Sequence, residues 1–129
     1  MKLLYLTFFA LLCAGNVNTD PITQFAELLG KGNVHEMAKF FAPNVELTLI
    51  DKTNTYTKAE AEAALDKFFT QNKPVNSKIL HKINSSASFN FGVVIINTDK
   101  GPYRASFTLK DMNGSLQLID MHIEVEKVK

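Results

Sequence analysis

Residues 89–125 read FNFGVVIINTDKGPYRASFTLKDMNGSLQLIDMHIEV, and their rhythm decides the architecture. Apolar side chains recur at every second position, the period of a strand whose successive residues point to opposite faces. Asn113-Gly114 interrupts the run. A two-residue type I′ turn needs positive φ at both central positions, which Asn and Gly tolerate. Asp99-Lys100-Gly101 interrupts it once more, so the spacing predicts three successive antiparallel strands. In the first, Phe91, Val93 and Ile95 oppose Val94 and Ile96; both faces are apolar, which places the strand centrally or under cover on two sides. In the second, Tyr103, Ala105, Phe107 and Leu109 alternate with Arg104, Ser106, Thr108 and Lys110. In the third, Ile119, Met121, Ile123 and Val125 read as one face, against Leu118, Asp120, His122 and Glu124.

Working upstream, a fourth strand from Ser77 places Ile79, His81 and Ile83 in one phase. Before it the period changes to that of helices. Asp20-Pro21 is a start signal: Asp caps free amides, and Pro sits where its missing N–H costs nothing. Ile22, Phe25, Ala26 and Leu29 then share a face, and Gly30 and Gly32 close the helix. Asn33 opens a second, with Glu36 in capping-box position, and Pro43 stops it. Val45–Ile50 is a strand, and Thr55-Tyr56 can pair back on it. Thr57 and Glu60 form another capping box ahead of a third helix that buries Ala61, Ala64, Leu65 and Phe68. Asn72 to Asn76 reads as a loop. Helices first and a long alternating sheet last predict an α+β fold: three N-terminal helices packed in the concave side of a strongly bent, mostly antiparallel sheet.

The chain has 129 residues, one domain's worth, and opens with an apolar leader. Lys2 precedes the run Leu3–Leu12, and Cys13-Ala14-Gly15 supplies the small residues of a cleavage site, so residues 1–15 are expected to be a signal peptide and 16–129 the domain. The run is too short to span a bilayer, so no membrane insertion is expected after cleavage. Losing Lys2 takes the 14 basic residues to 13, against 13 acidic. A neutral surface excludes the basic face that nucleic acid or anionic membrane needs. Cys13 is the sole cysteine, so the mature chain has no disulfide. Lipidation of Cys13 is the alternative, with Leu12 where a lipobox wants a small residue; the protein is expected to be periplasmic or secreted.

Gly32-Asn33-Val34, followed by Met37-Ala38-Lys39-Phe40-Phe41-Ala42-Pro43-Asn44-Val45-Glu46-Leu47, resembles the helix-to-strand passage of nuclear transport factor 2-like domains, the cystatin-like cone. The order of elements resembles that superfamily over essentially the whole mature chain, and most of all its small exported bacterial domains of unknown function. The resemblance implies a conical cavity and dimerisation through the sheet, but no shared activity.

Enzymes of that superfamily use an Asp or His base inside the cone with a Tyr or protonated Asp beside it, so the polar residues in apolar phases matter most. His81, between Ile79 and Ile83, is the best internal candidate, with Tyr56 and Tyr103 as hydroxyl donors. The expected pocket lining is Phe25, Leu29, Phe41, Phe68, Ile79, His81 and Phe107. A lone His on an apolar phase is more often structural, so His81 is expected to be buried and neutral. Arg104, Ser106, Leu118, Asp120 and His122 form an outward cluster suited to a sheet-to-sheet homodimer. With no phosphate-binding glycine loop, zinc spacing or nucleophile elbow, no cofactor or metal is expected. Three functions follow from these residues: a non-catalytic domain binding a small apolar ligand or a protein partner, an isomerase or dehydratase with His81 as base, or a structural dimerisation module.

Overall fold

The computed structural model describes residues 20–86 and 88–127; the expected leader and Cys13 lie outside them. Helix α1 (Pro21–Lys31) begins where Asp20 accepts from the Thr23 amide at 2.9 Å, and ends at Gly32 with φ 66°. Helix α2 (Val34–Met37) is a single turn capped by Asn33 and extended by a 3-10 turn, Ala38–Phe40. Strands β1 (Phe41–Leu49) and β2 (Lys52–Thr57) follow, then α3 (Lys58–Gln71), whose Thr57–Glu60 capping box is fully formed. The sheet is completed by β3 (Pro74–Ser86), β4 (Phe89–Thr98), β5 (Gly101–Met112) and β6 (Ser115–Val125).

The six strands run in the order β2-β1-β6-β5-β4-β3. Every pairing is antiparallel except β1 with β6, which is parallel because the intervening chain returns to the sheet centre from the far edge. At the β5–β6 hairpin Asn113 and Gly114 have φ of 59° and 91°, the geometry their type I′ turn requires. Two boundaries differ from expectation. Strand β1 already begins at Phe41, so Pro43 lies inside it, within an irregularity between Phe41 and Glu46. Strand β3 begins at Pro74, where a loop was expected; Pro is tolerated because β3 is an edge.

All three helices pack on one face of the sheet. Phe25 of α1 meets Phe107 of β5 with ring centroids 4.8 Å apart, and Phe68 of α3 meets Tyr103 at 5.3 Å. The Ser77 hydroxyl of β3 donates to the Ala26 carbonyl at 2.7 Å. The cone is filled by large side chains, among them Phe25, Phe41, Met37, Leu65, Phe107 and Met121, all almost wholly buried. Packing leaves no room for a side chain at Gly92, where a Cβ would lie 2.7 Å from Phe107 Cζ and 2.9 Å from Ile22 Cγ2. Only glycine lets the helix and the Phe107 ring approach β4 this closely.

Two bulges reverse the expected phases. In β3, Ile79 sits opposite Val94 but His81 opposite Val93, so Leu80 is an extra residue and His81 turns to the outer face. The following residue proves the phase: Lys82 lies opposite Gly92, and its ammonium reaches Asp20 at the start of α1 at 2.8 Å. In β6, Leu118 pairs with Leu109 and Asp120 with Thr108, leaving Ile119 as the extra residue. Leu118 is therefore fully buried with the core, and not on the outer face as expected.

Candidate functional site

The base-and-hydroxyl arrangement expected of an enzyme is not assembled. His81 is exposed on the outer sheet face. Tyr103 lies on the helix side, its hydroxyl donating to Asn72 Oδ1 at 2.8 Å and its ring against Phe68. Tyr56, opposite Val45 on β2, packs against the core, and its hydroxyl accepts from Asn54 Nδ2 at 3.3 Å. The sheet itself separates His81 from both tyrosines. Of the expected pocket lining, Phe25, Leu29, Phe41, Phe68 and Phe107 belong to one buried cluster, with Ile79 packed against it. They fill the cone.

Among the described residues, concavities lie on the outside between α1 and α2 and beside Arg104, and neither is lined by those residues. One, of about 430 Å³, runs between α1 and α2; Leu28 and Phe40 are its apolar part, and Glu27, Lys31, Glu36 and Lys39 supply charge. Lys39 and Glu36 pair across 3.0 Å. The other, of about 300 Å³, lies among Arg104, Glu124, Val125, Glu126 and Lys127. There Arg104 donates to both oxygens of Glu126, at 2.9 and 3.3 Å, and this bidentate pairing raises the guanidinium pKa. Among the described residues, no group of three or more His, Cys, Asp or Glu side chains is placed to hold a metal ion.

The outer face of the sheet is a grid whose rows follow from the register. One row runs Lys78, Ile95, Arg104, Glu124; the next runs His81, Val93, Ser106, His122, Thr48. The third runs Ile83, Phe91, Thr108, Asp120, Glu46. Arg104, Ser106, Asp120 and His122 thus share this face, and the β3 bulge adds His81 to it. Next to the β3 edge, β4 presents an apolar column on this face: Phe89 is exposed, Phe91 and Ile95 are half-buried, and Val93 is buried among its neighbours. Beside it Ile83 is 50% exposed and Phe89 40% exposed, high values for such side chains. Lys110 lies over the Phe89 ring at 5.6 Å.

Asp120 is part-buried on this face. Burial pushes its carboxyl above the ordinary range; the Thr108 hydroxyl, donating at 3.0 Å, acts against that, and the Glu46 charge acts with it. His122 Nε2 stands 3.9 Å from Glu124 Oε1. Sequence reasoning missed Glu46 as the neighbour of Asp120, because the β1–β6 pairing joins distant segments. It also missed Glu126, which lies beyond the last strand.

The family described as Domain of unknown function (DUF4783) matches residues 22–124. Among solved structures, a protein of that family from Bacteroides ovatus is similar at 22% identity and TM-score 0.75, over 87% of this chain and 97% of that one. A domain of unknown function with a cystatin-like fold from Nostoc punctiforme matches at 9% identity and TM-score 0.65, over 81% and 72%. A designed nuclear transport factor 2-like protein matches at 16% identity and TM-score 0.61, over 79% and 91%. The fold is that of the nuclear transport factor 2-like cone. No curated protein matches the sequence.

Proposed function

The chain belongs to the DUF4783 family, and from that premise we propose that it is an exported, non-catalytic domain that works by pairing with a second copy of itself through the outer face of its sheet. The observation that carries this is the exposed pair Ile83 and Phe89 with half-buried Phe91 and Ile95 beside them, on the face opposite the helices. Covering these side chains releases water from apolar surface at roughly 25 cal/mol per Å².

Charge favours a second copy as the occupant. Lys78 on β3 and Glu124 on β6 end the same cross-strand row, one on each side of the column. A two-fold axis running along the strands sets Lys78 of each copy against Glu124 of the other, an isologous contact. Export is proposed from the leader, and intact mass of protein from its native host tests it: a start near Asn16 supports it, a diacylglycerol adduct on Cys13 gives a lipoprotein, and retention of Met1 refutes it.

Sedimentation equilibrium of the mature protein tests the contact. The wild type should dimerise at micromolar concentration, while the double substitution Ile83→Glu and Phe89→Glu should be monomeric with unchanged thermal stability. A wild type that stays monomeric would overturn the proposal. A second use is favoured by the groove between α1 and α2, whose Leu28 and Phe40 could take a small apolar ligand.

A further inference from the structure

We propose that self-association through this face takes up protons, so that the dimer tightens as the pH falls, because the contact buries the Asp120 carboxylate, whose neighbour across the β1–β6 pair is the carboxylate of Glu46. This rests on the reading of the face as a contact between two copies. Asp120 of β6 and Glu46 of β1 are register neighbours in the parallel pair, and both stand on the outer face. Among the described residues, Asp120 has one hydrogen-bond donor, the Thr108 hydroxyl at 3.0 Å. A carboxylate removed from water needs a cation or several donors to stay charged, and otherwise takes a proton.

The cations of the face lie away from Asp120 or are held by other groups. On β5, Arg104 is held by Glu126 and Lys110 lies over Phe89. On β6, His122 stands beside Glu124. On β3, Lys78 and His81 lie across β4 and β5 from Asp120 within one copy, and the two-fold sets those of the second copy against Glu124 and His122, while its Ile83 covers Asp120. Among the described residues no Lys or Arg forms an ion pair with Asp120. Burial and the Glu46 charge already raise the Asp120 carboxyl against the pull of Thr108 in the single copy, and a covering copy strengthens both.

The sign follows from linkage. A carboxyl whose pKa is raised further by association contributes to the dimer fully below its free-chain pKa. That contribution is lost as the pH rises through its pKa in the dimer. One proton per copy bounds the change at about 100-fold in the dimer dissociation constant per pH unit. The carboxylate effect is isolated by Asp120→Asn. The amide keeps the shape of a protonated carboxyl and carries no charge.

The test is sedimentation equilibrium of the mature wild type and D120N at about pH 7.5 and about pH 5, where side chains with ordinary and raised carboxyl pKa values separate. The wild-type dissociation constant should fall tenfold or more on acidification. D120N should associate at pH 7.5 more tightly than the wild type and show no such fall. A wild type that dimerises with a flat or rising constant, or a D120N variant that retains the full fall, refutes proton uptake by Asp120 and leaves the contact standing. Absence of association in both proteins at both pH values refutes the contact itself, and proton uptake with it.

Discussion

Replacing Gly92 with alanine tests whether the cone is filled and rigid. The new methyl group would meet Phe107 Cζ at 2.7 Å and Ile22 Cγ2 at 2.9 Å, where ordinary contact is 3.4–4 Å. Phe107 has little freedom to yield, because its ring is tilted against Phe25 with centroids 4.8 Å apart and both side chains are fully buried. Ile22 is equally constrained, since α1 is anchored by its Asp20 cap and by the Ser77 bond to Ala26. With two contacts this short on side chains that cannot yield, the cost lies in the upper part of the overpacking range, about 2–3 kcal/mol, and the lower chain entropy of alanine when unfolded returns about 0.4–1, leaving a net loss of about 1–2.6 kcal/mol. Urea denaturation should register this as a lower midpoint at unchanged slope. Phe107→Leu removes the atom that clashes, so the double variant should show a coupling of about 1 kcal/mol or more in a double-mutant cycle. A neutral or stabilising G92A, or simple additivity with F107L, would mean that the cone has room to spare and that the filled interior is wrong.

Two further predictions concern β3 and the start of α1. Lys82 and the Thr23 amide hold the Asp20 carboxyl down to about 2. A depressed carboxyl contributes stability above its unfolded value, and the contribution is lost as the pH falls towards 2. Because Asp20 is largely solvent-exposed, the loss should stay below about 1 kcal/mol, and Asp20→Asn should flatten the stability profile below about pH 4. Denaturation curves through this acid range check it, and an unchanged slope in D20N would count against the pair. His81→Gln should change stability by less than about 0.5 kcal/mol, as expected for an exposed side chain without a buried partner. A drop of several kcal/mol in thermal or urea unfolding would put His81 back in the core.

How much was legible can be traced residue by residue. The capping signals at Asp20, Asn33 and Thr57 are local, and each formed the predicted bond to an amide three residues on. The Asn113-Gly114 turn is local as well, fixed by the φ values those two residues accept. Fold class followed from the change of period, and the resemblance of residues 32–47 pointed to the same cone. The site did not follow, because it depends on which face each strand residue takes. A one-residue insertion reverses every later position. The clue was present in the doublets Ile79-Leu80 and Leu118-Ile119, two adjacent apolar residues where alternation wants one. In β6 the spacing from Leu118 to Met121 cannot be met by strict alternation, and a bulge resolves it.

By itself the sequence determined the helices, the hairpins, the order of elements and the apolar leader, since each depends on neighbours a few residues apart. Only the tertiary structure decided that His81 faces outward and Leu118 inward, and that Glu46 stands beside Asp120 across a parallel pair. Only it decided that ring packing leaves the cone full. A bulge is chosen by the partner strand and by the helices beneath, which bring Lys82 to Asp20 and Gly92 to Phe107. Those contacts join residues far apart in the chain, and their energies exceed any local preference for unbroken alternation.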